Sequence, residues 1–505
     1  MKQALLFALV ALSAFHALAE IKLGTPFKDH AILQREMPVT IWGTANAKER
    51  LEITFAEQIA KAEADYNGNW KATLSPMHAS KEPRTLLVRS FDSEEKVEVK
   101  DILVGEVWLA SGQSNMECPL WDQGVRYRDA YGKMMLTITQ NNYIRFIKPH
   151  RAWNVQPQKD INCQWRSFTG EAITECHDQS PDKKTISAIA FYYALQLYAS
   201  LEIPIGIIDA SWGGTNIDAW TPRSGYENHP TLKAFAEYPV TNKWDQSMAL
   251  GAITWFHEQP TVLWNAMVNP FAPYAVRGMI WYQGCQNSFE HEIYADKMQA
   301  LYDGWKKEFQ NPNLKIYFVE LAPFDDQYYR LRLAQHKFAE QEKNAAFVST
   351  ADIGNFYDVH PNKKEIVARR LALHALKNDY GRTDIIADSP KLTKYIIEGD
   401  KFILSFDNHN WYYYNDDRSE PKGFEIAGAD GEFHPAKLQN ETYNDSQLRG
   451  TQLIVSSPEV KNPKSLRYLA QPPYEGSIFS EDSNLPLPPF EIINESKEDQ
   501  KEPKE

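Results

Sequence analysis

The sequence predicts an α/β protein: a parallel sheet flanked by helices, with β-sandwich-like domains at its N- and C-terminal ends. Three observations carry the layered part of this reading. Short strand-like segments separated by turn residues fill 20–98, the pattern of a small sandwich. Across 99–388, apolar strand-like runs alternate with helical patterns, as crossover helices on a parallel sheet require. The short-strand pattern returns over 389–494.

The elements follow in order. Residues 1–19 place one lysine before an apolar run to about Leu18 and close on Ala17-Leu18-Ala19, the small-x-small pattern of a cleavage site. The run is shorter than the ~20 residues of a membrane span, so it reads as a signal peptide. Export, to the periplasm or beyond, is the expected localisation, with no membrane span. The first β domain is expected in VTIWGTA, LEITFA, IAKAEADY, WKATL, TLLVRS and KVEVKD. The core strands are expected in VGEVWLAS, IPIGIIDAS, VRGMIWYQG, LKIYFVELA and AAFVSTADIG. Helices are expected in SAIAFYYALQLYASL, EIYADKMQALYDGWKKEF and KKEIVARRLALHAL. KYIIEG, KFILSFD, GFEIAG, TQLIVSS and SLRYLA supply the second β domain, and 495–505 is a charged tail.

Composition narrows the function. With 43% hydrophobic and 12% aromatic residues the chain of 505 residues can bury a sizeable core. Its 54 Lys+Arg against 67 Asp+Glu give a net charge of −13, which argues against nucleic acid or an anionic membrane as the main partner. The 4 cysteines are Cys118, Cys163, Cys176 and Cys285; in an exported chain they allow up to two disulfides, with Cys163 and Cys176 the easiest local pair. They match no CxxC zinc spacing. The chain has no HExxH, no Walker loop and no GxGxxG after a strand, so metallohydrolase and nucleotide readings fail.

Four polar segments lie where strands of the parallel sheet should end, the place such sheets hold ligands. Gly112-Gln113-Ser114-Asn115-Met116 sets a serine hydroxyl at a strand-to-helix switch, beside helix-terminal N–H groups suited to an oxyanion. Asp209-Ala210-Ser211-Trp212-Gly213-Gly214-Thr215 offers paired glycines that let backbone approach a ligand. Trp281-Tyr282-Gln283-Gly284-Cys285-Gln286-Asn287 offers an amide donor in Asn287. Asp358-Val359-His360-Pro361 offers a general base next to a carboxylate. Singly, each also fits a cap or a turn. Together they supply nucleophile, oxyanion donors and base in chain order.

These segments also carry a family resemblance. GEVWLASGQSNME, ASWGGTNIDAW, WYQGCQN and DVHPNKKEIVARRLAL resemble the blocks of bacterial sialate O-acetylesterases, a branch of the SGNH hydrolases. ILQREMPVTIWGTA, the Asn67–Trp70 turn, LWNAMVNPF and NLPLPPF extend the likeness over nearly the whole mature chain. The resemblance implies Ser114 as nucleophile, His360 as base, and an oxyanion hole of the Ser114 and Gly214 N–H groups with the Asn287 amide. It implies no metal and no organic cofactor. Asp358 would orient His360, with Asp352 or a backbone carbonyl as alternatives, because the Asp that SGNH enzymes carry three residues before His is Tyr357 here. Family members read WYQGESN where this chain has WYQGCQN, so Cys285 is either a thiol or the partner of Cys118.

The implied substrate is an O-acetylated sialic acid. Gln113, Gln283 and Arg223 are the substrate-binding candidates, and Arg277 and Arg332 are further candidates for a fork on the sialate carboxylate. Another acetylated glycan such as xylan fits the same motifs. A carbohydrate-binding protein without activity is the third expectation.

Overall fold

The computed structural model describes residues 20–120, 141–169, 186–324, 326–354, 358–407, 410–414, 420–443, 447–448, 450–471 and 476–493. Four features expected from the sequence lie outside those residues: the signal peptide at 1–19, Cys176, Tyr357 and the charged tail at 495–505.

The chain is mixed α/β, with a central mixed sheet and additional β-sheets. Its first strands are β1 (Lys22–Leu23), β2 (Ile32–Gln34), β3 (Val39–Thr44), β4 (Arg50–Phe55), β5 (Gln58–Glu63), β6 (Asn69–Leu74) and β7 (Ser80–Ser90). Burial alternates along β4 and β6, with Leu51, Ile53 and Phe55 and then Trp70, Ala72 and Leu74 buried, so one face of each strand lies against the core. The next strand, β8 (Lys96–Gly112), is 17 residues long. KVEVKD and VGEVWLAS, expected on either side of a domain boundary at 98/99, are thus one continuous strand. Its first part pairs antiparallel with β7. The strand bends at Asp101, whose φ is 54°, and Arg145 grips the Asp101 carboxylate with two contacts of 3.0 Å. Beyond the bend, β8 enters the parallel sheet.

That sheet adds β9 (Asn141–Ile147), β10 (Trp165–Phe168), β11 (Ile205–Ser211), β12 (Gly278–Tyr282), β13 (Lys315–Val319) and β14 (Ala345–Val348). Its order is β10-β9-β11-β8-β12-β13-β14. All neighbours are parallel except β10, which runs antiparallel to β9. β8, β11 and β12 are buried along almost their whole length within this sheet, which explains their near-continuous apolar sequences. β9, not expected from the sequence, begins Asn-Asn-Tyr and contains Arg145; ion pairing with Asp101 lets that arginine sit buried.

Helix Ala188–Leu201 packs on helix Lys364–Asn378, and helix His291–Glu308 on helix Asp326–Gln341. One hydrophobic core runs from Ile21 through Leu376, so the first β module and the α/β unit share it. The C-terminal strands form a seven-stranded and a four-stranded sheet around a separate core that includes Phe402, Leu453 and Tyr468. Among the described residues no helix is long and apolar enough to cross a membrane.

β8 is the first strand of the parallel sheet in the chain, yet it lies in its middle. β9 and β11 are on one side and β12 to β14 on the other. The sheet's topological switch therefore falls at the carboxyl end of β8, where a crevice opens.

Candidate active site

Ser114 begins a four-residue helix, Ser114–Glu117, directly after β8. Gly112 makes the turn possible. Its φ is +139°, and a Cβ there would lie 2.2 Å from the Tyr282 carbonyl oxygen. The close approach is used: the Gln113 N–H donates to Tyr282 O at 3.0 Å, and Trp212 N–H donates to Gly112 O at 3.0 Å. The ends of β8, β11 and β12 are thereby stitched into one rigid edge.

His360 comes from the loop between β14 and helix Lys364–Asn378. Its Nε2 lies 2.8 Å from Ser114 Oγ, across 246 residues of sequence. Asp358 Oδ1 accepts the His360 backbone N–H at 2.8 Å and stands 3.6 Å from Nδ1. Asp352 is committed elsewhere, in a two-pronged pair with Arg370 at 2.8 Å for each contact. Of the two aspartates considered for orienting His360, only Asp358 is beside it.

The Gly213-Gly214 turn abuts the serine: a Cβ on Gly213 would sit 3.1 Å from Ser114 Cβ. The Gly213 N–H donates to Glu117 Oε2 at 2.8 Å. Gly214, with φ +73°, has open space where a Cβ would be.

Asn287 does not match its expected placement. It is 0% exposed. Its Oδ1 accepts from Ile217 N–H at 3.0 Å and from Gln283 Nε2 at 2.7 Å, while its Nδ2 donates to Glu290 at 2.6 Å. Lys297 closes this network, 2.8 Å from both Glu290 and Asp218. The amide is a framework group under the site, because a buried amide takes the partners around it.

The substrate-binding candidates divide similarly. Gln113 Oε1 accepts the Gly284 N–H at 2.9 Å and so ties the serine loop to the β12 loop. Gln283 is buried; both Nε2 hydrogens go to protein acceptors, and its Oε1 accepts from Tyr294 at 2.7 Å. It has no group left for a substrate. Arg223 donates to the carbonyls of Phe235 and Ala236, 12 and 13 residues on, and clamps that segment. Arg277 pairs with Glu106 at the amino end of β12, away from Ser114. Arg332 is buried against Glu320 at 2.8 Å. None of the three offers its fork at the serine.

Four important residues escaped the sequence reading: Glu117, Arg151, His257 and Lys364. Glu117 accepts from Arg151 Nε and Nη2 at 2.6 Å each, and Arg151 lies over the Trp212 ring, 5.7 Å from its centroid. His257 stacks on Trp212 with ring centroids 5.1 Å apart; burial, then the Arg151 charge, lower its pKa. Lys364 is buried behind the serine helix. It donates to Asn115 Oδ1, and Asn115 Nδ2 donates to the carbonyl of Val359 at 3.0 Å, next to His360. Burial lowers the Lys364 pKa to about 8, against the opposing influence of Cys118, Cys285 and Asp358. Among the described residues no disulfide joins Cys118, Cys163 or Cys285, so the Cys118–Cys285 alternative does not hold. Burial raises the Cys285 pKa to about 11.

A parallel sheet with a hydroxyl–imidazole pair at its switch point, and a glycine turn against the hydroxyl, defines an ester hydrolase of the α/β class. More particularly, the chain belongs to the carbohydrate esterase family described as sialic acid-specific acetylesterase, whose profile matches residues 104–374. Sialate O-acetylesterase of Pongo abelii is 26% identical over 91% of this chain and 90% of its own. That of Homo sapiens is likewise 26% identical, over 91% and 90%. A crystal structure of a carbohydrate acetylesterase from Xanthomonas citri superposes with a TM-score of 0.77 at 29% identity, covering 94% of this chain and 99% of that one. The protein is a carbohydrate esterase of this family.

Proposed function

We propose that the chain removes O-acetyl groups from sialic acids through a serine-bound acetyl intermediate. The observation that carries this reading is the 2.8 Å contact between Ser114 Oγ and His360 Nε2, within reach of direct proton transfer. His360 takes the Ser114 proton as Oγ attacks the acetyl carbonyl. The negative charge that develops on the carbonyl oxygen is met by the N–H groups of Ser114 and Gly214, Gly213 being held by Glu117. His360 then protonates the departing sugar oxygen, leaving acetyl on Ser114. A water deprotonated by His360 attacks the acetyl-enzyme, releasing acetate and restoring the hydroxyl. Every proton is accounted for by Ser114, His360 and water, with no cofactor in the scheme.

Ser114→Ala and His360→Ala test the roles. Each is expected to lower p-nitrophenyl acetate turnover by roughly three or more powers of ten while the far-ultraviolet circular dichroism is retained. Turnover within tenfold of the parent in either would overturn the assignment.

A second reading keeps the chemistry and changes the sugar. It is favoured by the commitment of Arg223, Arg277 and Arg332 to other partners; Arg151, near the serine helix, is itself held by Glu117. Acetate release from 9-O-acetylated sialic acid against acetylated xylan separates the two. We also infer export with cleavage after Ala19, supported by the leader-like composition of 1–19; a mature N-terminus at Glu20 is the expected result of Edman sequencing.

A further inference from the structure

A cleft of about 650 Å³ lies between the small sheet β1-β3-β6 and the α/β unit. It is remote from Ser114. Helix His291–Glu308 starts beside the Gln283–Asn287 loop and runs back over 18 residues, about 27 Å at the helical rise, before the chain reaches Gln310 in the cleft wall. The two sites therefore occupy opposite edges of the sheet.

The walls are tied across the gap. Lys159 donates to Asn69 at 2.8 Å, Thr25 donates to Asp160 at 2.6 Å, and Asn269 Nδ2 donates to the carbonyl of Gln158 at 2.8 Å. Such a cleft is preformed, and its size lies within the range of small-ligand sites. Trp42 stands in it, braced edge-on by Phe27 at 4.7 Å and Tyr274 at 6.4 Å. Trp70 lines it too, and its buried indole N–H has no hydrogen-bond partner among the described residues. The charges balance: Lys22, Lys71 and Lys159 face Glu63, Asp65 and Asp160.

We propose that this cleft is a second carbohydrate-binding site, taking an uncharged pyranose unit of a glycan chain. Indole surface set among polar groups suits the alternating C–H and hydroxyl surface of a sugar ring. Three cations against three carboxylates leave no excess charge to draw an anionic group, which an acidic glycan or a phosphate would need. The inference does not depend on the reading of the Ser114 site.

Isothermal titration of the whole enzyme with xylohexaose, cellohexaose, mannohexaose and lacto-N-neotetraose tests it, with 3′-sialyllactose as the charged comparator. At least one neutral oligosaccharide is expected to bind with a dissociation constant below about 10 mM. Its affinity should fall at least about tenfold in Trp42→Ala and in Thr40→Arg, while p-nitrophenyl acetate turnover stays at the parental level. Thr40 shares the Trp42 face of β3, so the arginine fills the cleft without removing core packing. Thr40→Arg also decides the matter if Trp42→Ala fails to fold. No binding by any of the four neutral probes, preference for 3′-sialyllactose, or unchanged affinity in Thr40→Arg would each overturn the proposal.

Discussion

Glu117 accepts the Gly213 N–H at 2.8 Å and is gripped by Arg151 through two contacts of 2.6 Å. A carboxylate on the serine helix thus fixes the glycine turn opposite it, and its own charge is compensated by a loop arginine. Removing it leaves Arg151 unpaired and the turn untethered. Glu117→Ala is expected to lower kcat on p-nitrophenyl acetate about 10- to 100-fold with little change in KM, the worth of one charge-assisted hydrogen bond. Glu117→Gln, which keeps an acceptor for Gly213, should fall between the two.

Asn115 joins the serine helix to the histidine loop through its bond to the Val359 carbonyl. Asn115→Leu removes that bond and leaves Lys364 without its acceptor. A kcat loss of about 10-fold or more is expected, with His360 amide exchange accelerated. Parental kcat would mean that the histidine loop is held by other contacts.

Lys364 gives stability a defined pH dependence. Its pKa in the folded chain is about 8, below the ordinary 10.5. Between these values the unfolded chain binds the extra proton, so stability rises with pH there, on the order of 1 kcal/mol per pH unit. Below pH 8 both states are protonated and the burial cost is felt in full. Lys364→Met lacks this dependence, so the parent's disadvantage relative to the variant should shrink from pH 8 toward pH 10. Urea unfolding at pH 7.5, 9 and 10 reads it directly. A difference independent of pH would refute the assignment.

Asn287 is a framework residue with three hydrogen-bonded partners around it. Asn287→Ala is expected to cost about 2–4 kcal/mol of stability in denaturant unfolding. If stability were unchanged and only kcat fell, the amide would be an oxyanion donor after all.

Asp358 and Asp352 should separate cleanly. Asp358→Asn, 3.6 Å from His360 Nδ1, is expected to lower kcat about 10- to 1000-fold, less than loss of Ser114. Asp352→Asn leaves the buried Arg370 with half its partner. It should lower stability by about 1.5–3 kcal/mol and leave the kcat of folded enzyme unaltered.

Read alone, the amino-acid order determined the alternation of strands and helices, because two-sided burial forces the continuous apolar runs of β11 and β12 and one-sided burial forces the alternation of β4 and β6. It also picked out Ser114, His360 and the Gly213-Gly214 turn, since polar residues breaking such runs must sit at strand ends. It did not reveal that β8 is one strand through an expected domain boundary, since a bend at Asp101 resembles a turn when Arg145 is not in view. It placed Gln113, Gln283 and Arg223 at the substrate and Asn287 in the oxyanion hole, where the fold assigns them internal partners. It passed over Glu117, Arg151 and Lys364, whose importance lies in contacts spanning 34 to 249 residues. Only the tertiary structure decided the meeting at the centre: β14 lies three strand positions from β8, roughly 14 Å, and the loop after it must reach back across β13 and β12 to bring an imidazole to the serine. Local sequence encodes local conformation; which strand edges face each other is set by how the whole sheet packs.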